Sequence, residues 1–280
     1  MDKKEIEVEN KRIFYRVVGS GQPVVLIHGF GEHGDVWKNQ VPITNYRNGY
    51  QQAITENDNI FRFIIPDLPG SGKSEMIDDM SMEGLSEIIK KLLDREKIDS
   101  CIMIGHSMGG YVTLAFADRY PELLKGIGLF HSTAYADTEE KKAARKKGIE
   151  FINDHGAFEF LRNTTPNLFS PASRDEQPII VDELIDTLSN FSAGALVSYY
   201  EGMIRRSDKT MILRNSTIPV LFIAGSADNA VPLDDILKQC HLPSLSYIHI
   251  LNNSGHMGML EEPAKANLIL ERFLLDAMAI

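Results

Sequence analysis

A serine lies between two glycines where an apolar run gives way to a helical pattern. Residues 101–111 read CIMIGHSMGGY, so Ser107 follows a buried strand and precedes a helix. A serine at the tip of such a tight turn needs strained backbone angles and close neighbouring chains, which Gly105 and Gly109 allow. The Gly-x-Ser-x-Gly pattern predicts that Ser107 is a nucleophile. The alternative is a glycine-rich turn that carries an incidental serine.

A serine hydroxyl is a weak nucleophile and needs a base that a third group orients. Asp228 follows the apolar run VLFIAG, and His256 lies on a glycine-flanked loop after the run YIHIL. Taken alone, Asp228 fits a turn or a helix N-cap, and His256 fits an inert loop residue. In the order serine, acid, histidine, each after a strand, they predict a catalytic triad of Ser107, Asp228 and His256. We assign the adjacent His106 to packing.

Backbone donors for an oxyanion are expected after the apolar run VVLIH, where the sequence continues as Gly29-Phe30-Gly31. The N–H groups of Phe30 and Met108 are the predicted oxyanion hole, and an ordinary glycine turn is the alternative. A substrate pocket is expected beside them, and for its helical-segment walls plain core packing is an equal alternative. The predicted walls are Phe30, Trp37, Met108, Met257, Tyr199, Tyr200 and Met203.

Elements that could position these groups alternate along the chain. Several apolar runs have almost no polar position, which is typical of parallel strands covered on both faces. The alternation predicts an α/β protein with a mostly parallel eight-stranded sheet flanked by helices and a hairpin at one edge. Expected strands are Glu5–Glu9, Ile13–Val18, Val24–His28, Phe61–Pro66, Cys101–Gly105, Gly126–Phe130, Val220–Gly225 and Tyr247–Leu251, and expected helices are Ser81–Glu96, Met108–Tyr120, Leu233–Cys240 and Met259–Met278.

One segment interrupts this alternation. Residues 132–210 have helical apolar patterns and no convincing buried strand, and TTPNLFSPASRDEQP within them is predicted to be a loop. We therefore predict a core domain of residues 1–131 and 211–280, with 132–210 inserted as a helical cap.

Composition narrows the class of protein. The chain has 280 residues, 43% hydrophobic and 24% charged, with a formal net charge of −10. An acidic surface repels phosphate backbones, so we expect no nucleic-acid partner. The charged N-terminus and the lack of a long apolar run predict a cytoplasmic protein without a membrane span, and two cysteines are too few for a disulfide framework. A monomer or small homo-oligomer that binds a small molecule is expected.

At this point the chain resembles the α/β-hydrolase superfamily, and within it capped, esterase- and lipase-like serine hydrolases. The segments HGFGEHGDVW, DLPGSGKS, GHSMGG, GSADNAVP and GHMGMLEEP follow the order and spacing of that family. The resemblance implies hydrolysis of carboxylic esters of small to medium hydrophobic substrates through an acyl-enzyme, with no cofactor and no metal. Hydrolysis of C–C bonds in diketones is the alternative activity, and a non-catalytic ligand receptor on the same fold is the alternative role. The connection Gln40–Asn59 is longer than is usual in the family.

Other chemistry-bearing residues fit less well. His131 and His249 lie at or within strand ends, and Asp67 precedes the serine in sequence, so we expect a structural turn role for Asp67. The segment LPGSGKS resembles the tail of a nucleotide-binding P-loop. However, Asp67 stands where that motif needs glycine, and its carboxylate would oppose a phosphate. Pro69 also removes one backbone donor, so we reject nucleotide binding.

Overall fold

The computed structural model of the protein describes residues 1–41, 46–47, 50–51 and 60–279. Our expectation of an unusually long connection at Gln40–Asn59 therefore falls largely outside the described residues. Among the residues that the structure describes, none of the helices combines the length and the apolar composition that a membrane span needs. The cytoplasmic location and the oligomeric state stay predictions.

Eight strands form one sheet in the order β1-β2-β6-β3-β7-β8-β9-β10, and β4 and β5 form a separate two-stranded ribbon. Within the large sheet, β1 pairs with β2 and β2 with β6 in antiparallel fashion, and the remaining neighbours are parallel. The predicted fold class and edge hairpin are confirmed. The strands are β1 (Asp2–Val8), β2 (Lys11–Gly19), β3 (Gln22–Ile27), β4 (Tyr46–Arg47), β5 (Tyr50–Gln51), β6 (Phe61–Pro66), β7 (Cys101–His106), β8 (Leu124–Phe130), β9 (Val220–Gly225) and β10 (Ser246–Leu251).

Two apolar layers cover the faces of the sheet. Every residue of β7 and β9 is buried, as expected for central strands packed on both sides. Successive residues of β7 alternate between layers, because side chains on a strand point to opposite faces: Met103 belongs to one cluster, and Ile102 and Ile104 to the other. The central strands are therefore covered by apolar side chains on both faces of the sheet.

Helices follow the strands, and the last predicted helix is divided. The helix expected over Met259–Met278 is two helices, since Pro263 has no N–H to donate to the preceding turn and begins a new helix instead. The helix expected over Leu233–Cys240 ends at Leu237. The described helices are α1 (Met82–Arg95), α2 (Met108–Arg119), α3 (Glu139–His155), α4 (Ala157–Thr164), α5 (Pro171–Glu176), α6 (Pro178–Thr187), α7 (Ala193–Arg205), α8 (Thr210–Arg214), α9 (Leu233–Leu237), α10 (Gly258–Glu261) and α11 (Pro263–Ala279).

The segment between β8 and β9 contains helices α3 to α8. The loop predicted for TTPNLFSPASRDEQP is wrong, because that stretch holds a 3₁₀ helix, Thr165–Leu168, and α5. Its prolines begin helices rather than end them: Pro171 is the first residue of α5, and the Ser170 side chain accepts a hydrogen bond from the Ser173 N–H. The division into a core and a cap at 132–210 stays a prediction.

The loop after β6 is folded around its own carboxylate. Asp67 Oδ1 accepts hydrogen bonds from Arg16 (2.6 Å) and from the Gly34 N–H (2.9 Å), and its Oδ2 accepts from the Lys73 N–H (3.0 Å). A Cβ atom added at Gly72 would lie 2.2 Å from Oδ2. Backbone donors that a phosphate would need are therefore used by Asp67. The structural turn role predicted for Asp67 is confirmed. The P-loop alternative would need free backbone N–H groups to bind a phosphate, and Asp67 occupies the Gly34 and Lys73 N–H groups.

Replacement of Asp67 tests this buried ion pair. Because Asp67→Asn leaves the Arg16 guanidinium in a largely buried place with a weaker partner, we expect the free energy of unfolding to fall by about 3 kcal/mol. Urea titration followed by circular dichroism measures the change. The matched control is Glu75→Gln, which weakens an exposed pair with Arg12 and should have a much smaller effect. Equal losses in the two variants would contradict the assignment.

Candidate active site

Ser107 occupies the tip of the turn between β7 and α2. Its backbone has φ +51° and ψ −115°, a strained conformation for a residue with a Cβ. The turn is held by hydrogen bonds from the Ser107 N–H to the Phe130 carbonyl (2.9 Å) and from the Ser132 hydroxyl to the Ser107 carbonyl (2.7 Å). Ser107 is partly exposed although its immediate neighbours in the chain are buried. Its side chain is therefore presented where a substrate could reach it.

Glycines on either side of the serine make this turn possible. A Cβ atom added at Gly105 would lie 2.2 Å from the carbonyl oxygen of Gly109, and one added at Gly109 would lie 2.4 Å from that of Ile27. Real Cβ atoms do not approach backbone this closely. The close approach that the sequence predicted for both glycines is confirmed.

Asp228 and His256 form a buried pair at the same edge of the sheet. The Nδ1 atom of His256 lies 2.8 Å from Asp228 Oδ2, and the two residues are 3% and 7% exposed. The other oxygen, Oδ1, accepts hydrogen bonds from the backbone N–H groups of Ala230 (2.8 Å) and Val231 (2.9 Å). Since a carboxylate only accepts, His256 donates from Nδ1 and keeps Nε2 for other partners.

The charges of this pair reinforce each other. Burial raises the pKa of the Asp228 carboxyl, but the positive charge of His256 and hydrogen bonds from imidazole donors outweigh burial and hold that pKa well below its usual range. Burial lowers the pKa of His256, but the charge and hydrogen bond of Asp228 outweigh it, so this pKa lies above the ordinary 6.5. Asp228 thus stays ionised and strengthens His256 as a proton acceptor.

His106 connects the serine turn to the histidine loop. Its Nε2 lies 2.9 Å from the His256 carbonyl oxygen, and its Nδ1 lies 3.0 Å from Glu32 Oε2. That same carboxylate oxygen accepts from the Gly29 N–H (2.7 Å). Burial opposes ionisation of Glu32, yet the charge of His106 and these hydrogen bonds lower its pKa. The His106 ring is therefore a buried structural group, in agreement with the packing role expected for it.

The histidine loop is also tied to the segment between β8 and β9. The His256 N–H donates to the Leu168 carbonyl at 2.6 Å. The buried carboxylate of Glu261 accepts from the Gly255 N–H (2.9 Å) and from the Ser170 N–H (2.8 Å). Because residues of both segments donate to one carboxylate, the histidine loop is held against the segment between β8 and β9.

The predicted oxyanion donors belong to the first residue of α2 and to the loop after β3. Met108 is the first residue of α2, and Phe30 follows β3 and is partly exposed. The Phe30 ring stacks on Tyr200 of α7, with centroids 4.2 Å apart and an interplanar angle of 11°. A Cβ atom at Gly31 would lie 2.6 Å from the Leu161 side chain. Helices α4 and α7 thus pack directly on the loop that would supply the Phe30 N–H, whose role stays a prediction.

Comparison with known proteins agrees with this architecture. A sequence model of the family described as alpha/beta hydrolase fold matches residues 22–142. A thermophilic esterase from Thermogutta terrifontis superposes with a TM-score of 0.87 at 24% identity, over 99% of each chain. The chain has the α/β-hydrolase fold. The resemblance expected from the sequence is confirmed at the level of the superfamily.

Two curated relatives match this chain over nearly their whole length, and their names describe different roles. The 2-hydroxy-6-oxo-6-phenylhexa-2,4-dienoate hydrolase of Comamonas testosteroni is 26% identical over 291 residues, 96% of this chain and 93% of its own. Karrikin insensitive 2 receptor IA of Petunia hybrida is 26% identical over 276 residues, 94% of each chain. One relative is thus named as an enzyme and the other as a receptor.

The residues predicted to line the pocket of the α/β-hydrolase are deeply buried. Trp37, Tyr199, Met203 and Met257 are each 2% exposed or less. The Tyr199 hydroxyl donates to the Pro69 carbonyl at 2.5 Å, which ties α7 to the loop after β6. All four residues belong to the core clusters, and their role as pocket walls stays a prediction.

Two cavities among the described residues lie away from Ser107 and His256. One of about 200 Å³ lies between α6 and the 3₁₀ helix Gly34–Trp37, and includes Val36 and Leu184. Another of about 420 Å³ adjoins it near Asp67. Neither is lined by Ser107 or His256.

His131 is the residue of this α/β-hydrolase site that sequence reasoning missed. Its Nδ1 lies 3.0 Å from Asp228 Oδ2, the same oxygen that His256 contacts. The signal was present, because His131 directly follows β8 at the carboxyl edge of the sheet. We judged it only as a base, for which it fits poorly, and not as a partner of the acid. One possible ligand atom from each of His131, Asp228 and His256 lies within 4.8 Å of the other two, and the absence of a metal stays a prediction.

Titration of His256 tests the electrostatics of this pair. We expect its pKa to lie above 6.5 in the native protein and to fall in Asp228→Asn, since that change removes the negative charge that favours the imidazolium. Histidine NMR across pH measures both midpoints. His249, whose pKa burial lowers, is the internal control and should not respond to Asp228→Asn. A His256 midpoint at or below 6.5, or one that is unchanged in the variant, would contradict the pairing.

Proposed function

We propose that this protein is a serine hydrolase that cleaves carboxylic esters of small to medium hydrophobic substrates through an acyl-enzyme. One observation carries the proposal: a strained, partly exposed Ser107 is joined through His106 to the backbone of His256, whose ring is hydrogen-bonded to a buried carboxylate. Strain at a serine and a buried acid–imidazole pair each reduce stability, so their coincidence at one sheet edge favours a functional reason. The hydrolase names among similar proteins agree with it.

Attack on the substrate carbonyl uses the second ring nitrogen of His256, Nε2, as the base. Because Asp228 holds the Nδ1 proton of His256, Nε2 takes the proton of the Ser107 hydroxyl as the oxygen attacks. Asp228 remains ionised and stabilises the imidazolium that forms. The low pKa of Asp228 ensures that this negative charge is present at neutral pH.

The oxyanion and the leaving group are handled by different groups. Backbone N–H groups of Phe30 and Met108 donate to the tetrahedral oxygen, and donors of this kind contribute roughly 10²–10³ each in rate. His256 then protonates the leaving alcohol, and the acyl group remains on Ser107. Finally His256 activates a water molecule that releases the acid.

We further propose that residues 132–210 form a cap over this site. Three contacts support it: Tyr200 stacks on Phe30, Leu161 packs against Gly31, and the Leu168 carbonyl accepts the His256 N–H. Aromatic residues at this boundary favour an apolar acyl group. Movement of the cap would therefore change both the pocket and the position of the base.

Two other functions remain as alternatives on the same residues. Hydrolysis of a C–C bond beside a ketone is favoured by the Comamonas relative, and reception of a ligand with little turnover is favoured by the Petunia relative. All three use the same triad, so they differ in which substrate the pocket accepts and how quickly the acyl-enzyme is released.

Covalent labelling tests the nucleophile. The purified protein should react with a fluorophosphonate, and mass spectrometry should locate the adduct on Ser107. Ser107→Ala should lose labelling and at least about 10³-fold in kcat toward a p-nitrophenyl ester, because no other group replaces the nucleophile. The control is Ser226→Ala, an exposed serine just after β9, which should behave as the native protein. An adduct on another residue would overturn the proposal.

A substrate panel then separates the three functions. Ester hydrolysis with a larger kcat/KM than that for vinylogous diketones supports the proposal, and the reverse preference supports the C–C hydrolase. A protein that labels fully on Ser107 but completes only about one turnover would be a receptor.

A further inference from the structure

We propose that His131 is a positioning residue, which donates a hydrogen bond to Asp228 and fixes that carboxylate against His256. The inference rests on the proposed function, since it assigns a role within the same triad. It is carried by geometry that the triad alone does not need: two imidazole nitrogens, 2.8 Å and 3.0 Å away, share the single oxygen Oδ2. A carboxylate held from two directions cannot rotate away from its histidine.

The hydrogen-bond partners of His131 determine where its proton lies. The Gly258 N–H lies 3.3 Å from Nε2 and can only donate, so Nε2 carries a lone pair. The proton is therefore on Nδ1, which donates to the Asp228 carboxylate. His131 is fully buried, and burial lowers its pKa more than Asp228 raises it, so the ring stays neutral. A neutral ring with both nitrogens engaged cannot serve as the base.

The protein provides a built seat for this ring. His131 directly follows the last residue of β8 and has φ +49°, in the left-handed region. Its N–H donates to the Ile223 carbonyl at 2.8 Å. A Cβ atom at Gly258 would lie 2.5 Å from His131 Nε2, and one at Gly225 would lie 2.9 Å from Cε1. Two glycines thus leave the space that the ring fills.

His131 also joins the acid to the loop of the base. One side of its ring binds Asp228, which follows β9, and the other side binds the Gly258 N–H, two residues after His256. The positions of Asp228 and of the loop that carries His256 are therefore both fixed by hydrogen bonds to His131, at the end of β8. Loss of the ring would remove one of the four donors to the Asp228 carboxylate and one anchor of the histidine loop together.

Two imidazoles share Oδ2, so the loss of the His131 donor should shift the pKa of His256 in a predictable direction. Each donor to this oxygen withdraws electron density, so removal of the His131 donor leaves more negative charge to face His256 and raises the pKa of His256. The other ionisable groups that act on His256 are Glu32 and Glu261, and neither is altered by a change at residue 131. His106, whose ring centroid is 6.0 Å from that of His131, is the remaining ionisable neighbour.

The experiment compares two substitutions at one position. His131→Asn keeps an N–H donor where Nδ1 lies and suits a positive φ, whereas His131→Leu has no donor. We expect His131→Leu to lower kcat by about 10- to 100-fold with little change in KM, and His131→Asn to recover most of this loss. The acidic limb of the pH–rate profile should move upward by about 0.5 to 1 pH unit in His131→Leu only. His249→Asn, on β10, is the matched control.

A purely structural role would lower the amount of folded enzyme without moving that limb. The kcat of each variant is therefore calculated per active site, and the number of active sites is measured by titration with the fluorophosphonate. An unshifted limb in titrated His131→Leu, or equal loss of kcat in the two variants, would overturn the proposal.

A second measurement needs neither activity nor the leucine variant. Long-range nitrogen–proton NMR of the native protein should show His131 as the neutral Nδ1–H tautomer throughout the titration of His256. Protonation on Nε2, or titration of His131 together with His256, would overturn the assignment. Absence of esterase activity alone would instead count against the proposed function, because the tautomer and the His256 midpoint are read independently of turnover.

Discussion

The carboxylate of Asp228 accepts four hydrogen bonds while it is almost completely removed from water. Its partners are the rings of His131 and His256 and the backbone N–H groups of Ala230 and Val231. A buried carboxylate costs several kcal/mol unless its oxygens are fully engaged, so the loops that carry these donors must be placed together. Those loops follow β8, β9 and β10, and the constraint therefore reaches across three neighbouring strands of the sheet.

The same logic is repeated around the site with other carboxylates. Glu32 joins the loop after β3 to His106, and Glu261 joins the histidine loop to Ser170. Asp67 organises the loop after β6 around Arg16. Each of these buried carboxylates accepts at least one hydrogen bond from a segment distant in sequence, so each one links a loop to another part of the fold. A pre-positioned set of groups is what proton transfer between them requires.

The strands and the triad candidates could be predicted because their signals are local. β7 and β9 are continuous apolar runs, and Ser107 lies in a short motif whose glycines have a steric reason. The roles of His131 and Glu261 have no such motif: the one local signal is that His131 directly follows β8, and each role depends on a hydrogen bond to a residue far away in the chain. The helix that begins at Pro171, and the break before Pro263 in a helix that was otherwise predicted, have another cause: proline ends one helix and begins the next equally well.

The contacts of Phe30 are separate from those that hold Asp228 and His256 together. Similar chains are named as a hydrolase and as a receptor, so the fold alone cannot decide between turnover and retention. In this chain, the Phe30 ring of the loop after β3 stacks on Tyr200, and the Arg145 guanidinium lies 5.5 Å from the centroid of the Tyr200 ring. Arg145 is in turn held by the buried carboxylate of Asp137, at 2.6 Å. If the proposed pocket is correct, a ligand that displaced Phe30 would disturb this charged network, whereas one that fitted beside it would leave the network intact. The choice of ligand would then be coupled to the segment between β8 and β9, whose Leu168 carbonyl also accepts the His256 N–H.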